Sequence, residues 1–514
     1  MIRWREHGLS AALALLVLAP LLVVATAPLH TPAPEWPYVG STLLPTYLWE
    51  TAVLISRTVL LALVLGVSTA WLVSANDFPG RGLFRWALVL PLALPTYISA
   101  ITFSALWGPT GTFSLLAKEH LGLVIDLLTP SGLAYVLALV LFPYVYLPAR
   151  AAFSGGMSAQ LDAARMLGGG AVRRAFRVAF PLALPAIGGG GLLVAMEVLN
   201  DYGAVRHYGV RTLTAGIFRS WGGLYDSGSA LRIGGILLLV VLLLMLAGKL
   251  TDRGALRAVS GARLRPVPLT GLRAALATTY CALILGASFL MPVLALLADA
   301  FRSSDMSSAL SFLPAAGNTL LIGVLSALLT LALALVLSYG QRRTGSRSGL
   351  IAGIGYVVPG AVIAIGVMSL AGWLTDLTGV VLIGTVALMV YAFSVRFLAL
   401  ATQPLRAGLD QQPTSLDEAA RLLGASPLRT FLRVNLPLLK PSLLAAALLV
   451  LMEVVKELPL TLILRPFDTD TLSTKVFEKA RIEQWSEAAL PALLIVVCGL
   501  VPVLLLDRLL ERKR

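Results

Sequence analysis

Asp162-Ala163-Ala164-Arg165-Met166-Leu167-Gly168, followed by Pro181-Leu182-Ala183-Leu184-Pro185 and Met196-Glu197-Val198, returns later in the same chain. The second copy reads Glu418-Ala419-Ala420-Arg421-Leu422-Leu423-Gly424, then Pro437-Leu438-Leu439-Lys440-Pro441 and Met452-Glu453-Val454. Every matched pair lies 256 residues apart, without a gap. A self-match at one fixed offset marks a tandem duplication, so each half carries one copy of the same polar loop. A further match, Thr212–Phe218 with Thr471–Phe477, follows a short insertion and extends the repeat.

The surroundings of these loops are apolar. Of 514 residues, 58% are hydrophobic and 13% charged, and the mean hydropathy is +0.86. Soluble domains keep roughly 25% charged residues, so this chain cannot cover a water-facing surface. Apolar runs recur at Leu9–Ala27, Thr51–Ala75, Phe84–Trp107, Gly132–Phe153, Pro181–Leu199 and Leu231–Leu250. The second half repeats them at Leu272–Ala298, Asn318–Gly340, Gly349–Leu374, Thr378–Ala399, Pro437–Leu464 and Ala488–Leu506. Runs of about 20 residues cross ~30 Å of hydrocarbon as helices, and their unbroken apolar character disfavours barrel strands. The sequence therefore predicts an all-α polytopic membrane protein of about 12 transmembrane helices. They form two parallel six-helix repeats, residues 1–250 and 272–514, joined by a basic cytoplasmic linker at 251–271.

Orientation follows from Lys and Arg. With the N-terminus (Arg3, Arg5) in the cytoplasm and sides alternating, the basic residues concentrate inside and acids outnumber bases outside, as the positive-inside rule requires. Both termini and both polar loops, 154–180 and 403–436, then lie in the cytoplasm. The net charge of +14 is mostly a topology signal. Because the basic residues are scattered over many short loops, no nucleic-acid partner is expected. The surrounding partner is membrane lipid. The first run ends in Ala25-Thr26-Ala27, which resembles a signal-peptidase site, but it is too long for a signal h-region and is expected to be retained. Cys281 and Cys498 both fall within apolar runs and offer no disulfide framework.

Small residues at adjacent helical positions, closed by glycine, fit a short surface helix that another protein approaches closely. One copy would read as an ordinary amphipathic helix. Two copies in diverged halves point to a docking element. The pattern resembles the EAA loop of the transmembrane subunits of bacterial ABC importers: Glu418-Ala419-Ala420, Gly424 and Leu436-Pro437, with Asp162-Ala163-Ala164, Gly168 and Phe180-Pro181 as the first copy. The resemblance spans nearly the whole chain. It implies the type I importer fold, a coupling helix in each loop, and location in the bacterial inner membrane. It also implies a cytoplasmic ABC ATPase dimer that binds ATP and Mg, and a periplasmic substrate-binding protein. Two stretches, Met196–Gly203 and Lys456–Phe467, resemble the ferric-iron permeases, whose relatives carry thiamine or phosphonates. Asp162 is shorter than Glu418 and Gly168-Gly169-Gly170 replaces Gly424-Ala425-Ser426, so the first coupling helix is expected to be shorter or less rigid.

This chain is expected to bind no cofactor or metal itself and to be no enzyme. His7, His30, His120 and His207 lack ligand spacing, and Gly248-Lys249 lacks the rest of a P-loop. Glu197 and Glu453 sit in the fifth span of each half, with Asp201 and Glu457 four residues on, on the same helix face, and Lys456 beside Glu457. Charges within a bilayer are costly and usually face a polar cavity or a partner. Glu197, Asp201, Glu453, Lys456 and Glu457 are therefore candidates for lining a cation path. An inter-helix clamp is the competing reading. Arg57 has Glu197 as a conceivable partner. The four glycines Gly188–Gly191 suggest close packing or a hinge. The competing function is an ion-coupled secondary transporter, which would not need two docking loops.

Overall fold

The computed structural model describes residues 2–29, 32–155, 157–168, 170–252, 266–302, 311–344 and 355–511. Most of the expected linker at 251–271 lies outside the described residues. The first half contributes α1 (Ile2–Thr26), α2 (Leu44–Ala75), α3 (Thr96–Trp107), α4 (Pro130–Leu141), α5 (Pro143–Ser154), α6 (Ser158–Met166), α7 (Phe180–Asn200), α8 (Gly203–His207) and α9 (Ser227–Asp252). The second contributes α10 (Gly271–Leu285), α11 (Met291–Arg302), α12 (Leu313–Thr344), α13 (Gly360–Thr378), α14 (Val386–Asp410), α15 (Thr414–Leu422), α16 (Lys440–Lys456), α17 (Pro459–Leu464), α18 (Leu472–Arg481) and α19 (Trp485–Glu511).

Among the described residues, eight helices are long and apolar enough to cross a membrane, or eleven if each of three bent pairs counts as one span. The run Phe84–Trp107, expected as one span, falls instead within a pair of helices, Arg81–Ala93 and Thr96–Leu121, bent by 93°. Pro95 at the break has ψ 138°, an extended value, and its ring removes a helix donor. Pro359 takes the same geometry before α13, with ψ 140°. The fifth run of the second half, expected over Pro437–Leu464, stops at Lys456, and Glu457 is extended. The helix then restarts as α17 with proline in its first turn.

The chain folds into two compact units that do not follow its sequence halves. One comprises residues 1–36, 217–238 and 309–475, the other 37–216, 239–308 and 476–514.

In the first unit α12, α14 and α16 pack together, and α1 lies against α12 and α13. Pro20 inside α1 leaves the carbonyl of Leu16 without its helical donor. The Tyr391 hydroxyl of α14 donates to that carbonyl at 2.6 Å. Gly366 of α13 sits so near that a Cβ there would lie 2.4 Å from the Pro20 carbonyl oxygen. A helix from the first half is thus bound into a bundle of the second.

The second unit is built on α2, which packs against α4, α5 and α7. At Gly190 of α7 a Cβ would stand 2.7 Å from the Tyr144 carbonyl, so this glycine serves close packing, whereas Gly188 and Gly189 have open space around them. Trp71, Phe153 and Phe180 meet where α2, α5 and α7 converge, the indole edge-on to both phenyl rings. The first helix of the second half, α10, is tied here. Tyr280 bonds Ser68 at 2.7 Å, Thr278 donates to the Pro79 carbonyl, and Asn76-Asp77 pairs in parallel with Val267-Pro268.

Candidate coupling helices and intramembrane carboxylates

Each repeated loop forms a nine-residue helix, α6 and α15. The first is therefore not shorter than the second, despite its glycine-rich end. Both end alike. Gly168 has φ 77° and Gly424 φ 76°, left-handed values that suit residues without a side chain. Gly168 donates to the Arg165 carbonyl; Gly424 donates to that of Arg421 while Ala425 reaches back to Ala420. At α15 this is the Schellman pattern, and it satisfies carbonyls that a helix end leaves open. A Cβ at either glycine would meet nothing within 4 Å. The backbone angle, not crowding within this chain, calls for glycine.

The helices present similar surfaces. Asp162 and Ala163 are exposed and Ala164 half-buried; Glu418 and Ala419 are exposed and Ala420 is buried. Asp162 and Glu418 make no side-chain hydrogen bond or ion pair within the described residues. At the end of each helix two large apolar side chains project outward: Met166 and Leu167, each 89% exposed, and Leu422 and Leu423, 89% and 87% exposed. Nothing in the chain's own packing calls for them.

Anchoring separates the two loops. Ahead of Glu418, Asp417 forms a 2.9 Å ion pair with Arg342 of α12, both side chains largely buried. Asn435 donates to the other Asp417 oxygen at 2.9 Å and to Gln412 at 3.0 Å. Arg342 also donates to the carbonyls of Gln412 and Leu409. In the first copy the positions matching Asp417 and Asn435 are Leu161 and Ala179, both buried. Apolar packing seats α6 where a polar network seats α15. None of the residues in that network stood out in the sequence, because the repeat singles out what the copies share.

The carboxylates of the fifth spans divide into two kinds. Glu197 accepts from the Tyr144 hydroxyl at 3.2 Å, and Glu453 pairs with Lys456 at 2.7 Å. Lys456 therefore serves Glu453, three residues back on the same face, and not its neighbour Glu457. Asp201 and Glu457 lie just past their helices and do not share a helix face with Glu197 and Glu453. Each caps the short helix that follows. Asp201 accepts from Ala204 at 2.9 Å, and Glu457 accepts from Leu460 and Thr461 at 3.0 and 3.1 Å. Both are buried. Glu457 has a cation beside it that sequence reasoning missed: Arg396 of α14, itself buried, held over the Phe397 ring and donating to the Val358 carbonyl. Gly360 makes room for both; a Cβ there would lie 2.5 Å from Glu457 Oε1 and 2.6 Å from Arg396 Nη1. Arg57 bonds Ser131 at 2.8 Å, so the partner is a hydroxyl on α4 and not Glu197.

In the second unit, beyond the end of α7, a cavity of about 550 Å³ is lined by Ser104, Thr110, Arg206, His207, Arg481 and Trp485 among others. His207 bonds Ser104 at 2.6 Å, and its ring meets Trp485 edge-on. Burial pushes the imidazole down to about 4, so it is neutral near pH 7. Among the described residues no three His, Cys, Asp or Glu side chains gather as metal ligands.

The chain is similar in sequence to known transport proteins. The profile described as "Binding-protein-dependent transport system inner membrane component" matches residues 321–514. A Fe(3+)-transport system permease protein of Haemophilus influenzae is 28% identical over 486 residues, 89% of this chain and 90% of that protein. A probable molybdenum ABC transporter permease protein of Haloferax volcanii is 31% identical over 223 residues, 42% of this chain and 80% of its own length. A putative 2-aminoethylphosphonate transport system permease protein of Salmonella choleraesuis is 32% identical over 153 residues, 29% of this chain and 54% of its own length.

Proposed function

This chain belongs to the inner-membrane permeases of binding-protein-dependent ABC transporters, and on that premise we propose that it takes ferric iron from a periplasmic binding protein and passes it to the cytoplasm. The observation that carries the substrate is coverage. Similarity to the Fe(3+)-transport permease runs through both halves, whereas the molybdenum and phosphonate permeases align with less than half of the chain.

In this reading α6 and α15 are coupling helices, each received by one subunit of an ATPase dimer that binds ATP and Mg. Their outward apolar pairs, with Asp162 and Glu418 alongside, are the surface such a subunit would cover. The termini lie in the cytoplasm, and the loops that follow α7 and α16 face the periplasm. Closure of the ATPase dimer on ATP pulls on both helices and opens the path outward; hydrolysis returns it inward. Glu197 and Glu453, half-buried on the fifth spans, are assigned to the path, since a hard trivalent cation favours oxygen ligands. Lys456 tempers the charge of Glu453, while Asp201 and Glu457 shape the turn that ends each fifth span.

The test is uptake of radiolabelled iron into proteoliposomes holding the permease, its ATPase and the binding protein. Glu197→Gln with Glu453→Gln should slow uptake while binding-protein docking and basal ATP hydrolysis persist. Uptake at the wild-type rate would reject the path role. A second reading, oxyanion transport, is favoured by Arg206 and Arg481 around the cavity beyond α7. Uptake of molybdate or a phosphonate in place of iron would select it.

A further inference from the structure

α12 is bonded at both ends to segments that the sequence assigns to opposite sides of the membrane. At one end Asn318 donates to the Asp470 carbonyl at 3.1 Å, and Thr319 accepts from the Leu472 amide at 2.8 Å. These partners lead into α18, in the loop read as periplasmic. At the other end Arg342 holds Asp417 within α15, together with the carbonyls of Leu409 and Gln412. From Asn318 to Arg342 the helix rises about 36 Å at ~1.5 Å per residue, enough to cross the hydrocarbon core. The first half keeps only the outer tie. Thr51 of α2 accepts from the Leu213 amide at 3.0 Å, and Glu50 pairs with Arg211. At its inner end Ser74, the counterpart of Arg342 when Thr51 is set against Thr319, meets Ser154 of α5. No hydrogen bond or ion pair joins α2 to α6 among the described residues.

We propose that Arg342 and Thr319 are positioning residues for energy coupling. α12 acts as a rod that relays periplasmic docking of the loaded binding protein to the second coupling helix alone. The proposal rests on reading α15 as a coupling helix. Its physical basis is that a regular helix is stiff along its axis. A guanidinium spread over a carboxylate and two carbonyls also fixes α15 more firmly than apolar contact fixes α6. Displacement of the Asp470–Leu472 segment is then felt at Asp417 without an intervening loop. α2 delivers no such push to α6.

The experiment uses the full permease with its ATPase and binding protein in nanodiscs. It reads the ratio of ATP hydrolysis with loaded binding protein to hydrolysis without it. Arg342→Gln and Thr319→Val should each lower this ratio about tenfold, within the range of measured coupling effects. Basal hydrolysis and ATPase association should stay within about twofold in Thr319→Val, which leaves the anchor of α15 intact. Arg342→Lys, which keeps a charge but not the fork, should fall between. The double variant should be no worse than either single one, because both break one relay. Thr51→Val, the matched change in the first half, should leave the ratio intact. The proposal is overturned by an unchanged ratio in Thr319→Val, by additive losses in the double variant, or by an equal loss in Thr51→Val. Failure of the ATPase to associate with the wild-type permease would instead overturn the coupling-helix reading.

Discussion

Replacing Leu422 and Leu423 together by serine separates docking from folding. Both side chains point away from the rest of the chain, 89% and 87% exposed, so the permease loses almost no internal contact. Burial of one leucine stabilises by about 1.5–3 kcal/mol, hence about 3–6 kcal/mol for the pair if a partner covers them fully. Ordering of side chains and imperfect fit reduce what reaches affinity. Allowing half, the double variant should bind the ATPase about 1.5–3 kcal/mol less well, roughly 10- to 150-fold. Met166→Ser with Leu167→Ser should act in the same direction on the first loop. Association of purified permease with the ATPase, titrated in nanodiscs, measures this directly, and the permease's own melting temperature is the control. Affinity within twofold of wild type in both double variants would refute the docking role of the exposed pairs. A lowered melting temperature would show that the side chains pack within the permease after all.

Gly360→Ala should destabilise the protein by about 1–3 kcal/mol, because the added methyl intrudes on the buried Arg396 and Glu457 side chains; an unchanged thermal inactivation midpoint contradicts that packing. Gly424→Ala should weaken the end of α15 by about 1 kcal/mol through its left-handed backbone, and Gly424→Asn by less, since asparagine tolerates those angles. ATPase affinities in the order wild type, asparagine, alanine are expected, and alanine equal to wild type would discard the argument. His207 is held near 4, below its unfolded value of about 6.5, so between those pH values the unfolded chain binds more protons. The stability this contributes is complete above about pH 6.5, fades as pH falls toward 4, and amounts to about 3 kcal/mol at most. His207→Gln should flatten that acid limb, and equal slopes in wild type and variant between pH 4 and 7 would count against it.

What the sequence disclosed depended on the range of the physics involved. The duplication, the helices of the two polar loops and their glycine ends are local features repeated in register, so the sequence alone marks Gly168 and Gly424 as helix ends. Bends at proline were equally local. Pro91 and Pro95 stand inside the run Phe84–Trp107, but hydropathy weighs how apolar a residue is and is blind to a missing donor. The pairing of Lys456 with Glu453 was within reach of helix geometry, since residues three apart share a face and adjacent ones do not. Arg396 was out of reach: it lies far from Glu457 in sequence, and only the packing of α14 brings it to that carboxylate.

The asymmetry between the copies follows from the same energetics. A buried ion pair that loses one member leaves a bare charge, a cost of about 3–5 kcal/mol. Replacement of the whole set by apolar residues costs little or nothing. A duplicated network is therefore stable when kept whole or abandoned whole. The second copy keeps Arg342, Asp417, Gln412 and Asn435. The first has Ser74, Leu161, Gly156 and Ala179 at the matching positions, with no half-retained charge among them. Since apolar residues suffice to seat α6, stability alone does not require the polar set at α15. Its retention in one copy is what a role in transmission, confined to that copy, would leave behind.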